Sequence, residues 1–171
     1  MKCLQCGHDM ECMEGTHRYD ECGLKGILLM NIPIHRCVSC GESEIEIPGL
    51  EELHCLLGLL VVYQPTPLKA EEVRYLRKHL GYSQDELASL LGVTRGTVTR
   101  WEKSRSIRRD QDKHLRRLYI DKKGEELDQF TNVHSIFSML LDKLPITPQQ
   151  QLRIRTEDWV TKDNQTSCLT A

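Results

Sequence analysis

The sequence predicts a mainly α-helical chain that begins with a small β-sheet domain folded around a metal ion. Two Cys-x-x-Cys pairs near the N-terminus are separated by thirty residues, a pattern typical of metal-binding knuckles. Prolines then interrupt the chain at residues 65 and 67, and none occurs from Leu68 to Leu144, where helical periodicity returns. A length of 171 residues suits two small modules better than one large enzyme core.

Charge is distributed unevenly along the chain. Residues 1–67 carry 4 Lys or Arg against 10 Asp or Glu, residues 68–123 carry 15 against 8, and residues 124–171 carry 4 against 7. A basic centre between two acidic flanks indicates a module that binds a polyanion, joined to parts with another role.

Composition and hydropathy indicate the class of protein and its compartment. A hydrophobic content of 39% and a charged content of 28% disfavour a disordered or fibrous chain. The longest apolar run, Leu56–Tyr63, is far shorter than the roughly 20 residues of a membrane-spanning helix. No apolar signal core follows Met1. We therefore expect a cytoplasmic protein with no membrane partner.

The eight cysteines predict metal ligation, because a reducing compartment disfavours disulfides. Gly7 and Gly41 follow the two pairs directly and allow the turns in which backbone amides point at thiolate sulfur. Four sulfur ligands fill a tetrahedral site and leave no position for a reacting water, so we expect one structural Zn²⁺ per chain and no enzyme activity. The predicted ligands are Cys3, Cys6, Cys37 and Cys40.

Four other cysteines and two histidines lack such spacing. Cys12 and Cys22 lie between the knuckles and are expected to be small buried residues, although competition for the metal stays open. Cys55 and Cys168 are isolated, and neither His8 nor His35 has a spaced partner.

The first domain is predicted to span residues 1–64. Its last element is a helix from Leu50 to Tyr63, whose leucines follow helical spacing and form a packing or dimer face. His54 on this helix is expected to be solvated. β-branched residues and turn glycines predict the strands Gly15–Asp20, Gly26–Met30, Ile32–Arg36 and Glu44–Ile47, with a strand end or bulge at Asn31–Pro33.

A proline-containing linker at residues 65–68 precedes a second domain, predicted at residues 69–120. Its first helix ends at Gly81. Ser83 and Glu86 form a capping box that starts a second helix, and Gly92 ends it. Thr94 caps a third helix, from Arg95 to about Glu102, with Val98 and Trp101 pointing inward. This arrangement is a helix-turn-helix.

Helix-turn-helix geometry places the third helix in the DNA major groove. Outward arginines can read guanine there, and Thr99 can bond a base or touch a thymine methyl group. The alternative is that the arginines only solvate a helical bundle. The candidate DNA-binding residues are Gln84, Thr94, Arg95, Gly96, Thr97, Thr99, Arg100, Lys103, Arg105 and Arg108.

These motifs carry a family resemblance. The stretch from Ser83 to Lys103, within residues 70–118, resembles the Xre/Cro-type helix-turn-helix of phage repressors and bacterial regulators. The paired cysteines, with Tyr19–Leu24 and Ile47–His54 around them, look like a YgiT-type zinc finger. Both modules in this order resemble the MqsA family of antitoxins.

The resemblance implies a five-helix, lambda-repressor-like second domain and a homodimer that binds a palindromic operator. It also implies repression of its own operon and neutralisation of an RNA-cleaving toxin by the zinc domain. Arg100 matches the family's base-reading arginine. Gly96 departs from the family, where the best-known member has asparagine, and Cys12 and Cys22 are further departures. A stand-alone regulator without a toxin is the alternative function.

Residues 121–171 extend beyond the resemblance. Apolar residues from Glu125 to Lys143 follow helical spacing and predict an amphipathic helix. The polar stretch from Thr147 onward lacks periodicity and predicts a mobile tail, within which Trp159 is either an anchor or a surface residue.

Overall fold

The computed structural model describes residues 1–103, 106–127 and 151–160. Within these residues, three strands come first, five α-helices follow and a fourth strand comes last, which confirms the predicted fold class of a small β domain and a helical domain. A short 3-10 turn at Thr156–Asp158 follows the last strand. The elements are β1 (Met10–Arg18), β2 (Ile27–Cys37), β3 (Ser43–Ile45), α1 (Leu50–Tyr63), α2 (Ala70–His79), α3 (Gln84–Leu90), α4 (Arg95–Lys103), α5 (Arg109–Leu127) and β4 (Leu152–Arg155).

Strand β2 is the centre of the sheet. It pairs antiparallel with β1 along its whole length, with a bulge after Gly15. Asn31 lies at this bulge with a φ of 60°, so the two strands predicted on either side of it are one irregular strand. Gly15 is required by close packing, because a Cβ atom there would lie 2.3 Å from Ile34 Cδ1.

Besides β1, strand β2 has a different neighbour at each of its two ends. β3 pairs antiparallel with the stretch from Ile34 to Arg36, and β4 pairs in parallel with the stretch from Ile27 to Met30. The expectation of a mobile tail from Thr147 is therefore wrong for the β4 segment. A four-residue strand with one buried side chain, Ile154, has too few alternations to be recognised in a sequence.

Residues 156–160 continue this attachment. The Trp159 indole Nε1 donates to the Pro48 carbonyl at 2.7 Å, and the Thr156 hydroxyl donates to the Asn31 carbonyl at 2.7 Å. Trp159 is buried and is thus an anchor, one of the two roles predicted for it. The predicted helix beyond Leu127, residues 128–150 and residues 161–171 lie outside the described residues.

One contiguous hydrophobic core joins the sheet to the helices. Leu53, Leu56 and Leu57 of α1 are completely buried, so the apolar face predicted for packing or dimerisation packs within this chain. Gly58 lets α5 approach α1, because a Cβ atom there would lie 1.9 Å from the Tyr119 hydroxyl. The cysteine knuckles form a separate small cluster of Cys3, Met10 and Cys37.

Arg116 of α5 fixes the linker between α1 and α2. Its Nη1 donates to the carbonyls of Val62 and Gln64 at 2.6 and 2.7 Å, and its Nη2 donates to the Thr66 carbonyl at 2.7 Å. Asp112 accepts from its Nε at 3.0 Å. Hydrogen bonds to a charged donor are stronger than neutral ones, so the end of α1 and the start of the linker are held against α5.

His54 is not solvated as expected but lies between the sheet and the helices. Its Nε2 is 2.8 Å from the Tyr19 hydroxyl, its carbonyl accepts from the Tyr75 hydroxyl at 2.8 Å, and its ring is 5.8 Å from that of His79. Burial lowers the pKa of His54. Its aromatic partners come from distant parts of the chain, which is why local sequence did not predict this environment.

Acidification is therefore expected to destabilise the contact between sheet and helices. The unfolded chain binds a proton at His54 near the ordinary pKa of 6.5, whereas the folded chain binds it only at lower pH. Stability is then fully present above pH 6.5 and falls as the pH decreases, by at most about 1.4 kcal/mol per pH unit for one proton. Urea unfolding between pH 5 and 8 measures this slope, which His54→Gln should reduce. An equal reduction in His8→Gln, at an exposed site, would contradict the assignment.

No helix of the described residues is both long enough and apolar enough to span a bilayer.

Candidate metal centre and nucleic-acid interface

The four predicted ligand cysteines lie together at one end of the sheet. Their Sγ atoms are all within 4.8 Å of one another. Cys6 is 3.4 Å from Cys37, and Cys40 is 3.5 Å from both Cys3 and Cys6. Sulfur atoms 2.3 Å from a central zinc would be about 3.8 Å apart. The cluster therefore has the size and donor set of a single metal site.

Two similar turns position these sulfur atoms. The Gly7 amide donates to the Cys3 carbonyl and the Gly41 amide to the Cys37 carbonyl, each at 2.9 Å. Both glycines are in the left-handed region, with φ of 74° and 78°, where other residues are strained. The sequence predicted this use of glycine. Cys3 and Cys37 are buried, whereas Cys6 and Cys40 are exposed.

The electrostatics of the four thiols also favour binding of a cation. The backbone amide of Cys40, assisted by that of Ser39, lowers the pKa of the Cys37 thiol to about 6. The amide of Glu42 lowers the pKa of the Cys40 thiol, but contacts with Cys6 and the other sulfur atoms raise it overall to about 12. Four thiolates at these distances repel one another, and a bound divalent ion removes that repulsion.

The remaining candidate ligands stay outside the cluster. Cys22 is half-buried, and its thiol donates to the Tyr19 carbonyl at 3.3 Å; burial raises its pKa. Cys12 is half-buried and disulfide-bonded, so the expectations of a buried free thiol and of no disulfides are wrong for this residue. Its Sγ lies 3.9 Å from His35 Nε2, and the same nitrogen is 3.0 Å from Glu46 Oε2. Among the described residues, the potential metal ligands that cluster are the four knuckle cysteines.

The helix-turn-helix has the elements and caps that the sequence predicted. The Glu86 amide donates to Ser83 Oγ at 3.2 Å and the Ser83 amide to Glu86 Oε2 at 2.7 Å, which completes the capping box. Gly92 has a φ of 64° in the turn. The Thr97 amide donates to the hydroxyl of Thr94 at 3.3 Å and caps α4.

Helix α4 presents a polar face to solvent. Val98 and Trp101 are buried, while Arg95, Gly96, Arg100 and Lys103 are exposed. Thr97 and Thr99 are half-buried, and Arg105 lies outside the described residues. A cleft of about 520 Å³ runs beside this face, lined by Val93, Thr94, Thr97, Arg100, Trp101, Ser106 and Arg108.

The exposed arginines differ in their partners. Arg95 Nε is 3.6 Å from Asp85 Oδ2, and Arg108 Nη2 is 3.6 Å from Asp110 Oδ2. These pairs are exposed, so solvent screens them and a polyanion can replace the carboxylates. Arg100 Nη2 donates instead to Thr97 Oγ1 at 3.1 Å.

Gln84, one of the candidate DNA-binding residues, is held by two partners within the protein. Its Nε2 donates to Glu102 Oε2 at 2.8 Å, and its Oε1 accepts from the Thr99 hydroxyl at 3.0 Å. One N–H of this amide is committed to Glu102, so the other could donate to a phosphate.

Glu102 is a buried side chain that connects α2, α3 and α4, a hub that was not predicted from the sequence. It is 4% exposed and accepts from both Arg77 and Gln84, while its carbonyl accepts from Arg74 at 2.8 Å. Burial raises the pKa of Glu102, but the hydrogen bonds and charges of these partners lower it overall. Its position four residues after buried Val98 was the available signal, since that spacing places it on the inward face of α4.

Taken together, two capped helices, a glycine turn between them and an exposed polar face on α4 define a helix-turn-helix. Comparison with known families matches residues 73–109 to the family described as Helix-turn-helix, HTH_3. This match supports a DNA-binding transcriptional regulator of the Xre type, and the four-cysteine cluster at the N-terminus can hold a metal ion. Members of this family are generally DNA-binding regulators. No curated protein matches the chain, and no solved structure does.

Proposed function

We propose that this protein is a zinc-containing transcriptional repressor that is also an antitoxin of the MqsA type. The observation that carries the proposal is the joining of a four-cysteine cluster to an Xre-type helix-turn-helix in one chain. In this proposal Zn²⁺ occupies the cluster and stabilises the N-terminal fold. A homodimer binds a palindromic operator and represses its own operon.

DNA contact is proposed for one face of the second domain. The arginines of α4 would read base edges, and Arg108 and Lys103 would contact phosphates. Two half-sites should then be protected about 10 base pairs apart, or at a multiple of that spacing. Footprinting on DNA from upstream of the gene tests this. Protection of a single half-site by a monomer would contradict the proposed architecture.

The acidic first domain is the proposed binding site for a toxin. Residues 1–67 have 4 basic and 10 acidic side chains, so their field repels nucleic acid and attracts a basic protein. A toxin that cleaves RNA fits this requirement, since its own substrate is a polyanion. Neutralisation through this domain would leave α4 available to DNA.

The alternative is a stand-alone regulator whose metal domain only supports the helices. The contiguous core favours this possibility, because sheet residues such as Leu29 and Ile32 belong to the same cluster as Val98 of α4. Only an assay for a protein partner distinguishes the two functions.

A growth assay tests the antitoxin function. The open reading frame next to this gene is expressed in a host, with this protein supplied from a second promoter. We expect growth arrest that this protein relieves. Cys37→Ser should fail to relieve it if the zinc domain binds the toxin, whereas Arg100→Ala, the matched control on the DNA-binding face, should still do so. Absence of arrest would favour the stand-alone regulator.

A further inference from the structure

The side chain of Arg100 has a different kind of partner from those of the nearby arginines Arg95 and Arg108. The two other arginines that flank the face approach Asp85 and Asp110. Within the described part of the chain, the Arg100 guanidinium donates to a hydroxyl, Thr97 Oγ1, at 3.1 Å. An exposed arginine without such a contact samples many rotamers, and ordering it on binding costs free energy.

Thr97 is itself fixed to the first turn of α4. Its backbone amide donates to Thr94 Oγ1 at 3.3 Å, and the two hydroxyl oxygens are 3.0 Å apart. Thr94 is the N-cap of the helix, and its backbone therefore belongs to the tight turn after Gly92. The hydrogen-bonded chain Thr94–Thr97–Arg100 thus connects the guanidinium to the N-terminal turn of α4.

This chain also leaves most of the guanidinium available. An arginine has five N–H donors, and Thr97 uses one of those on Nη2. The remaining donors can form the two parallel hydrogen bonds by which arginine reads O6 and N7 of guanine. Arg108 lines the same cleft and comes from the segment before α5, where phosphate contacts are expected.

We propose that Thr97 is a positioning residue that aims Arg100 at a guanine in the operator. The inference rests on the proposed function, in which Arg100 reads a base. Thr97 lowers the entropic cost of recognition by holding the guanidinium in place before DNA arrives. It acts on discrimination between bases rather than on general affinity for DNA, because it carries no charge and Arg100 retains its own.

The test uses the full-length protein and duplex DNA selected by it from a random library. Affinity is measured for the best selected site and for sites changed at one base pair, and the position where Arg100→Ala loses its preference is identified. At that position we expect Thr97→Val to reduce the preference for guanine roughly two- to tenfold. Thr97→Ser, which keeps the hydroxyl, should restore it. The preference is expressed as the ratio of the affinities for the guanine site and for the site changed at that base pair, so that a general change in DNA affinity cancels.

Two comparisons separate positioning from a general structural effect. In the Arg100→Ala background, Thr97→Val should cause no further loss of discrimination, since the group it positions is gone. Ser89→Ala on α3 is the control, because the Ser89 hydroxyl donates to the Asp85 carbonyl and Ser89 is not among the candidate DNA-binding residues. It should leave the preference at that position intact.

Additive losses in the double variant would overturn the proposal, as would an equal loss on selected and random DNA. Selection that yields no preferred sequence with the unmodified protein would overturn the proposed function itself. A preferred sequence that Arg100→Ala reads unchanged would reject Arg100 as a reader while leaving sequence-specific binding established.

Discussion

Serine in place of Cys37, or chelation of the metal, is expected to unfold the knuckle end of the sheet while α2, α3 and α4 remain folded. The reason is that Cys3, Met10 and Cys37 form a cluster of their own, too small to be stable without the metal. Structural zinc contributes on the order of 10 to 16 kcal/mol of apparent binding free energy in small fingers. The main core contains Leu29 and Ile32 but none of the knuckle residues.

Hydrogen exchange with and without a chelator measures this difference by segment. Amides in residues 1–12 and 36–46 should lose protection, and those of α2 to α4 should keep it. Cys22→Ser is the control, since its thiol lies outside the cluster and contacts backbone carbonyls. Loss of protection throughout α2 to α4 on chelation would show that the metal stabilises the whole molecule.

The features that were predictable from sequence are those specified by nearby residues. A Cys-x-x-Cys turn followed by glycine fixes its own geometry, and the capping box from Ser83 to Glu86 contains both partners within four residues. The buried positions Val98 and Trp101 follow directly from helical periodicity. The ligand cluster needed one long-range pairing, which β1 and β2 supply as a hairpin.

The features that were missed depend on distant partners. β3 pairs with the other end of β2, so the edge of β2 between Ile27 and Met30 is open and β4 pairs with it. His54 is enclosed by tyrosines from β1's end and from α2. Neither environment has a local signature, since each is created by packing between segments far apart in the chain.

Long-range contacts also change how the linker at residues 65–68 is interpreted. Prolines in an extended stretch indicated a boundary between domains. Arg116 binds three carbonyls at the two sides of Pro65, and one core extends across the boundary. A partner bound to the sheet would therefore contact a body that includes the recognition helix, and this provides a physical route by which partner binding could alter DNA binding.

Replacement of Glu102 by glutamine is expected to cost about 3 kcal/mol of the free energy of unfolding, because Arg77 is left with a buried charge and no carboxylate. Arg77 has a side chain only 12% exposed and Glu102 only 4%, so water cannot replace the lost partner. The same change should weaken operator binding, since Glu102 holds Gln84, which in turn bonds Thr99 on the recognition face.

Urea unfolding of Glu102→Gln and of Asp85→Asn compares this buried pair with an exposed one. Asp85 pairs with Arg95 at the surface, where both side chains are about two-thirds exposed, and its replacement should cost no more than about 0.5 kcal/mol.

The pH dependence of stability gives a second criterion for Glu102. Since the folded pKa of Glu102 lies below its ordinary value of 4.5, its contribution is present above pH 4.5 and is lost as the pH falls through the folded pKa. Glu102→Gln should flatten that part of the acid unfolding curve, and equal costs for both variants would refute the role of Glu102 as the hub of α2, α3 and α4.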